Sequence, residues 1–246
     1  MKNLAVILPA AGQSSRFKDK RKKPFVDLDG RAVWIRAAEL FLNREDLCQL
    51  IVVIAAEDEE EFKRRYGANL AFMGVEVVLG GAERIDSVAN AVKQLKDAAE
   101  LVAIHDAVRP CTRKEDVDRV VEAAAKHGAA LLACPVFDTL KRAGNDGTVQ
   151  ETVPRADLWL AQTPQVFRKD ILVKAYANRH KVSRPITDDA QLVEATGVKV
   201  QLVEGPPTNI KITTRADLTL AKAILDAMPK PKLKQPLHPF AEDKMW

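Results

Sequence analysis

Through the first half of the chain, short apolar runs alternate with longer stretches whose apolar positions recur at helical spacing. Residues 4–8, 50–54, 75–79, 101–105 and 130–134 have the length and continuity of buried strands. Between them, 32–42, 58–66, 84–95 and 113–126 predict helices, the last with Val117, Val120, Val121 and Ala124 on one stripe. Strands that are apolar throughout, separated by helices, predict a mostly parallel twisted sheet covered on both faces. In such sheets ligands bind beyond the C-terminal ends of the strands. The loops after Leu8, Leu79 and His105 are therefore the first places to look for chemistry.

The pattern changes after Pro135. Residues 138–143 and 148–153 flank Gly144-Asn145-Asp146-Gly147, and Asp-Gly is a strong hairpin signal. Both flanks are largely polar, so neither face has an obvious core, and an isolated hairpin is marginal in water. An arm over about 136–156 is expected, packed on a second copy of the chain or resting on its own domain. From Thr187 the chain returns to helix (188–195), strand (200–203), a short segment 209–212 and a helix 216–227. The domain expected is 1–227, and the proline- and lysine-rich stretch 228–246 reads as a tail.

The first strand runs into Pro9-Ala10-Ala11-Gly12-Gln13-Ser14-Ser15-Arg16. Small residues let backbone amides approach a phosphate chain and form an anion-binding concavity. Arg16 offers a planar fork of donors. Behind it, positions 18–23 hold five cations in six residues, a density that repels itself unless solvated or offset by an anion such as a triphosphate. Separately, each piece has a plain explanation: a tight turn, a solvated face or a nucleic-acid patch. Their joint placement beyond the first strand favours phosphate binding. Only Gly12 is present where a dinucleotide fingerprint needs GxGxxG, and GxxxxGK[ST] is absent.

Composition narrows the field further. Lys plus Arg total 38 against 34 Asp plus Glu in 246 residues, a net charge of +4. That excess demands neither nucleic acid nor a membrane as partner. Cys48, Cys111 and Cys134 are too scattered for a disulfide framework or a cysteine zinc site. The apolar N-terminal run is too short for a membrane helix or secretion signal, so a cytoplasmic location is expected.

Seven stretches in order give a family resemblance: PAAGxxxR at 9–16, GGAERIDSV at 80–88, HDAVRP at 105–110, DTLKR at 138–142, TPQVF at 163–167, ITDDA at 186–190 and NIKIT at 209–213. Over about 4–227 the chain resembles the 2-C-methyl-D-erythritol 4-phosphate cytidylyltransferases. The resemblance implies a Rossmann-like α/β fold with a projecting β-hairpin arm, and a homodimer in which the arm acts across the interface. It implies CTP and a phosphorylated polyol as substrates, with Mg²⁺. Pro9, Ala10, Ala11, Gly12 and Ser14 would hold the triphosphate, and Gly81, Ala82 and Ser87 the base and ribose. Arg16 and Lys23 would stabilise the transition state; Asp106 would lie near the metal and both substrates; Thr139, Arg155 and Lys211 would place the acceptor. Here Lys22-Lys23-Pro24-Phe25 replaces the family's proline-lysine-glutamine-aromatic run, so Lys22 and Lys23 compete for one role. Ser14 stands for a usual glycine and Val108 for a common alanine.

The nearest alternatives are ribitol 5-phosphate as acceptor, another sugar-phosphate nucleotidyltransferase, and a non-catalytic nucleotide-binding module. Taken alone, Lys211 reads as a solvated lysine on an edge strand, Arg155 as a partner for Asp157, and His105 as a packed strand-end residue. Thr187, Asp188 and Asp189 read as the cap of a helix.

Overall fold

The computed structural model describes residues 3–12, 17, 22–183 and 185–229. Inside its main sheet runs β1 (Leu4–Pro9), in which Leu4 through Leu8 are wholly buried. The alternation within this strand explains the layers. Leu4, Val6 and Leu8 face one core with Trp34 and Phe41 of α1 (Val33–Leu42), Phe62 and Tyr66 of α2 (Glu59–Met73), and Val117 and Val120 of α4 (Lys114–His127). Ile7 faces the opposite core with Val88 and Val92 of α3 (Arg84–Val92), Leu172 and Tyr176 of α5 (Lys169–Ala177), and Leu192 and Val193 of α6 (Asp189–Glu194). Burying each such aliphatic side chain stabilises the fold by about 1.5–3 kcal/mol.

Strand β1 pairs in parallel with β4 (Leu47–Ile54) on one side and β6 (Leu101–Ile104) on the other, and β4 pairs with β5 (Val75–Leu79). The sheet continues through β10 (Trp159–Arg168) and β7 (Ala129–Pro135) to β11 (Gln201–Glu204), in the order β11-β7-β10-β6-β1-β4-β5. The chain winds outward from β1 to β5 and then crosses to β6. Strands β1 and β6 therefore flank a topological switch point, where open α/β sheets leave a crevice beyond their C-terminal ends. A third cluster closes that end: Ala221 of α7 (Arg215–Ala227) packs with Ile212, Val33 and Val108. Helix α7 starts at a capping box between Thr214 and Asp217.

The sheet is mostly parallel, as the apolar runs predict, but one strand and one helix escape the pattern. Strand β10 lies antiparallel between β6 and β7. Its inner positions include buried Gln162, Thr163 and Gln165, and these polar residues mask the run. Helix α5 follows it directly. The segment 209–212 forms no strand, so Lys211 does not lie on a sheet edge.

Strands β8 (Leu140–Ala143) and β9 (Val149–Val153) pair only with each other and are largely exposed. The turn between them uses Gly147 at φ +80°, a conformation that favours glycine. Two further short strands, β2 (Asp27–Leu28) and β3 (Arg31–Ala32), form a small separate pair. Among the described residues no helix is long and apolar enough to cross a membrane.

Candidate active site

A cleft of about 350 Å³ opens beyond β1, β5 and β6. Pro9 to Gly12 line it from the end of β1, and Gly81 to Arg84 with Ser87 line it from the start of α3. The two loops touch. A Cβ on Gly80 would lie 2.7 Å from Ser87 Oγ and 2.8 Å from the Ala11 Cβ, and one on Gly81 would lie 2.5 Å from the Asp86 Cβ. Glycine is required here by close approach. Ser87 secures the turn from inside: its hydroxyl donates to the Glu83 carbonyl at 3.0 Å and accepts from the Gly81 amide at 3.1 Å.

Of the two competing lysines, Lys23 is the one that reaches the cleft. It opens a single turn of 3₁₀ helix, Lys23–Phe25. Lys22 is tied to Asp58 at 2.7 Å and Glu57 at 2.8 Å. Burial opposes its charge, but those two carboxylates hold the ammonium above its ordinary pKa. Ser14, Arg16 and positions 18–21 lie outside the described residues, as does the tail from 230.

Asp106 sits just past β6 and shows no sign of capping a helix; Arg113 is the residue before α4. Its amide donates to the Thr163 hydroxyl at 3.0 Å. Its carboxylate meets three cations: Lys211 at 2.9 Å, Arg109 at 3.4 Å and Arg84 at 3.6 Å. Burial opposes the charge, yet Lys211, Arg84 and Arg109 keep the carboxyl well below the usual carboxylate range. Lys211 is brought there by Asn209, which is buried and fully used. The Asn209 amide nitrogen donates to Gln162 Oε1 and the Thr163 carbonyl, each at 3.0 Å; its side-chain oxygen accepts from Thr112 at 2.7 Å; and its carbonyl accepts from Arg109 at 2.7 Å.

His105 is structural, as its strand-end position suggests. Its Nε2 lies 3.1 Å from the Arg109 carbonyl, which can only accept, and its Nδ1 lies 3.0 Å from the Thr163 hydroxyl. Burial pushes its pKa down to about 4, so near neutral pH the single ring proton belongs on Nε2.

A second cavity of about 220 Å³ adjoins the first and shares Arg84, Asp106 and Lys211 with it; Thr163, Thr187 and Asp188 line its other side. Asp188 caps α6, accepting from the Gln191 amide at 3.0 Å. Sequence reasoning passed over Arg84, Arg109 and Thr163, although each lies inside a motif it singled out. Thr139 and Arg155 are not brought to either cavity by this chain. Both are exposed in the arm, and Arg155 donates to the Phe137 carbonyl.

The comparisons with known proteins agree with this geometry. The family model described as IspD, 2-C-methyl-D-erythritol 4-phosphate cytidylyltransferase, matches residues 4–227. The chain is 45% identical over 235 residues to the 2-C-methyl-D-erythritol 4-phosphate cytidylyltransferase of Rhodopirellula baltica, covering 91% of this chain and 95% of that protein. It is 40% identical to the enzyme of the same name from Bacillus pumilus, over 90% of this chain and 96% of that one. Among solved structures, the 4-diphosphocytidyl-2C-methyl-D-erythritol synthase of Anaerococcus prevotii superposes with a TM-score of 0.77 at 30% identity, covering 92% of this chain and 96% of that chain. The 2-C-methyl-D-erythritol 4-phosphate cytidylyltransferase of Thermus thermophilus does so at 0.75 and 33% identity, covering 89% and 98%. A match that runs from β1 to α7, and takes in every loop around the crevice, means that this chain belongs to the 2-C-methyl-D-erythritol 4-phosphate cytidylyltransferase family.

Proposed function

We propose that the chain transfers the cytidylyl group of CTP to the phosphate of 2-C-methyl-D-erythritol 4-phosphate, giving 4-diphosphocytidyl-2-C-methyl-D-erythritol and pyrophosphate. The observation that carries this reading is the junction itself. A cleft floored by Ala10–Gly12 and Lys23 opens directly into a second cavity across Asp106 and Lys211. An acceptor phosphate oxygen attacks the α-phosphorus of CTP in line; the new O–P bond forms as the bond to the β-phosphate oxygen breaks, and pyrophosphate leaves with that electron pair. A phosphate dianion needs no general base, so charge neutralisation and positioning are the protein's main tasks. Lys23 and Arg16 stabilise charge on the α-phosphate and leaving group. Pro9 to Gly12 and Ser14 hold the triphosphate, and Gly81, Ala82 and Ser87 take the nucleoside. Lys211 holds the incoming phosphate.

Mg²⁺ is part of the proposal. Among the described residues no three His, Cys, Asp or Glu side chains gather into a cage, and the carboxylates lining the cleft are Asp106 and Glu83. That donor set fits an ion held mainly by phosphate oxygens with one or two carboxylates. Asp106 is its proposed protein ligand, and the ion would supply charge neutralisation between the phosphates.

Thr139 and Arg155 reach the acceptor from a second copy in this reading. Phe137, Leu158, Trp159 and Leu160 are exposed at the root of the arm, and an apolar patch of that kind supports a homodimer contact over a hairpin lying on its own domain. A cytoplasmic location fits the free thiols of Cys48, Cys111 and Cys134.

The test is pyrophosphate release from CTP and Mg²⁺, with methylerythritol phosphate and ribitol 5-phosphate assayed side by side. Turnover with the first acceptor and little with the second is expected. Turnover confined to ribitol 5-phosphate would refute the substrate assignment, and none with either would refute the reaction.

A further inference from the structure

Among the described residues the mechanism leaves two buried carboxylates unused: Asp116, which is paired with Arg113 and Arg119 around α4, and Asp189, which reaches the site. Asp189 opens α6 and is wholly buried, a placement that costs several kcal/mol unless the charge is paired. It is not needed to start the helix. Asp188 caps α6, and Gln165 of β10 fixes the same turn by donating to Asp188 Oδ2 and accepting from the Ala190 amide, both at 2.9 Å. What Asp189 does instead is hold Arg84. Its Oδ2 accepts from Arg84 Nη2 at 2.7 Å, and its Oδ1 accepts from the hydroxyl of Tyr176 on α5.

Arg84 opens α3 at the end of the nucleotide-side loop and lines both cavities. The Nη2 held by Asp189 lies 3.6 Å from Asp106 Oδ1, whereas Lys211 and Arg109 face Asp106 Oδ2. Released from Asp189, the guanidinium would turn onto Asp106, its other carboxylate, in a paired fork geometry. That movement would compete with Lys211 and intrude on the acceptor cavity.

We infer that Asp189 and Tyr176 are positioning residues: they hold Arg84 at the wall between the two substrates, so that Asp106 and Lys211 keep the acceptor phosphate in line with the nucleotide. This rests on the cytidylyl-transfer reading. The nucleotide contacts assigned above are to 10–12, Gly81, Ala82 and Ser87 rather than to the Arg84 guanidinium, so CTP affinity is expected to change little when the clamp is broken, whereas acceptor KM and kcat depend on it.

The experiment is a double-mutant cycle with wild type, Asp189→Asn, Arg84→Ala and the double variant, together with Tyr176→Phe. Acceptor KM and kcat come from pyrophosphate release, CTP Kd from calorimetry without acceptor, and Tm from thermal unfolding. Asp189→Asn is expected to lower kcat/KM for the acceptor by about 10- to 100-fold, with CTP Kd within about threefold and far less added loss in the Arg84→Ala background. Tyr176→Phe, which removes one oxygen, is expected to lose several-fold in the same parameter. It carries the test if Asp189→Asn does not fold. Equal losses in both backgrounds, or normal acceptor kinetics in folded Asp189→Asn or Tyr176→Phe, would overturn the inference alone. A wild-type chain that releases no pyrophosphate would overturn the cytidylyl-transfer reading and this inference with it.

Discussion

Asp106 and Arg155 are both expected to serve the same acceptor, yet the chain treats them in opposite ways. Asp106 is buried, anchored through its amide to Thr163 and faced by three cations, two of which, Arg84 and Lys211, come from distant parts of the sequence. Arg155 is exposed at the end of a hairpin that pairs only with itself. At the junction a single chain fixes charge in space before any ligand arrives, because misplaced charge in a partly desolvated cleft is costly. In the arm the chain builds a strand pair that joins no other sheet. The described part of one region is assembled within one copy; the other is the part for which a partner is proposed.

The contrast predicts a steep gradient of effects. Asp106→Ala leaves Lys211, Arg84 and Arg109 facing one another without their carboxylate, and a loss of about 3–5 kcal/mol in urea-unfolding stability is expected. A loss below about 1 kcal/mol would mean that the cluster is solvated and the junction less fixed than described. Lys23→Ala should lower turnover by about 10²–10³-fold while CTP binding measured by calorimetry changes far less. Equal losses in both would favour a nucleotide-binding module over an enzyme.

Stability should also depend on pH through His105. Its folded pKa of about 4 lies below the ordinary 6.5, so the unfolded chain binds the extra proton between those values. The protein therefore loses roughly 3 kcal/mol of stability as pH falls from about 6.5 to 4. Asp106, with its folded pKa depressed, adds a loss only at more acidic pH, below the ordinary carboxylate value. Denaturant titrations across that range should show the first slope in the wild type and its absence in His105→Gln. At the small end, Lys22→Ala should cost about 1 kcal/mol or less and leave turnover within roughly twofold, and Arg142→Ala, which loses an exposed arm pair with Glu151, should be similarly mild in stability. A large turnover loss in Lys22→Ala would reverse the assignment of the two lysines.

The same contrast explains what the sequence could and could not say. Strands that are apolar on both faces announce themselves, so β1, β4, β5, β6 and β7 and the loops beyond them were legible. The hairpin was legible from Asp146-Gly147. Strand β10 was not, because Gln162, Thr163 and Gln165 are buried to hold Asn209, Asp106 and the start of α6. Such residues look like surface in a linear pattern. Lys211 alone reads as a solvated lysine, and only the folded path of 205–212, pinned through Asn209, turns it toward Asp106. Arg84 and Arg109 were hidden differently. Their motifs were recognised as motifs, but a carboxylate's set of partners is a property of three dimensions. What separates the surroundings of Lys22 from those of Lys23 is likewise three-dimensional: Asp58 and Glu57, which pair with Lys22, lie far along the chain.

The central claim is that a junction fixed in one chain is completed by the arm of another. The most direct measurement is the activity of heterodimers pairing one Lys23→Ala chain with one Arg155→Ala chain, isolated with two different affinity tags. Each heterodimer then has one site with both residues intact, so about half of wild-type pyrophosphate release is expected where either parent alone is nearly inactive. Heterodimers no more active than their parents would contradict the account, because Lys23 and Arg155 would then serve a site within one chain.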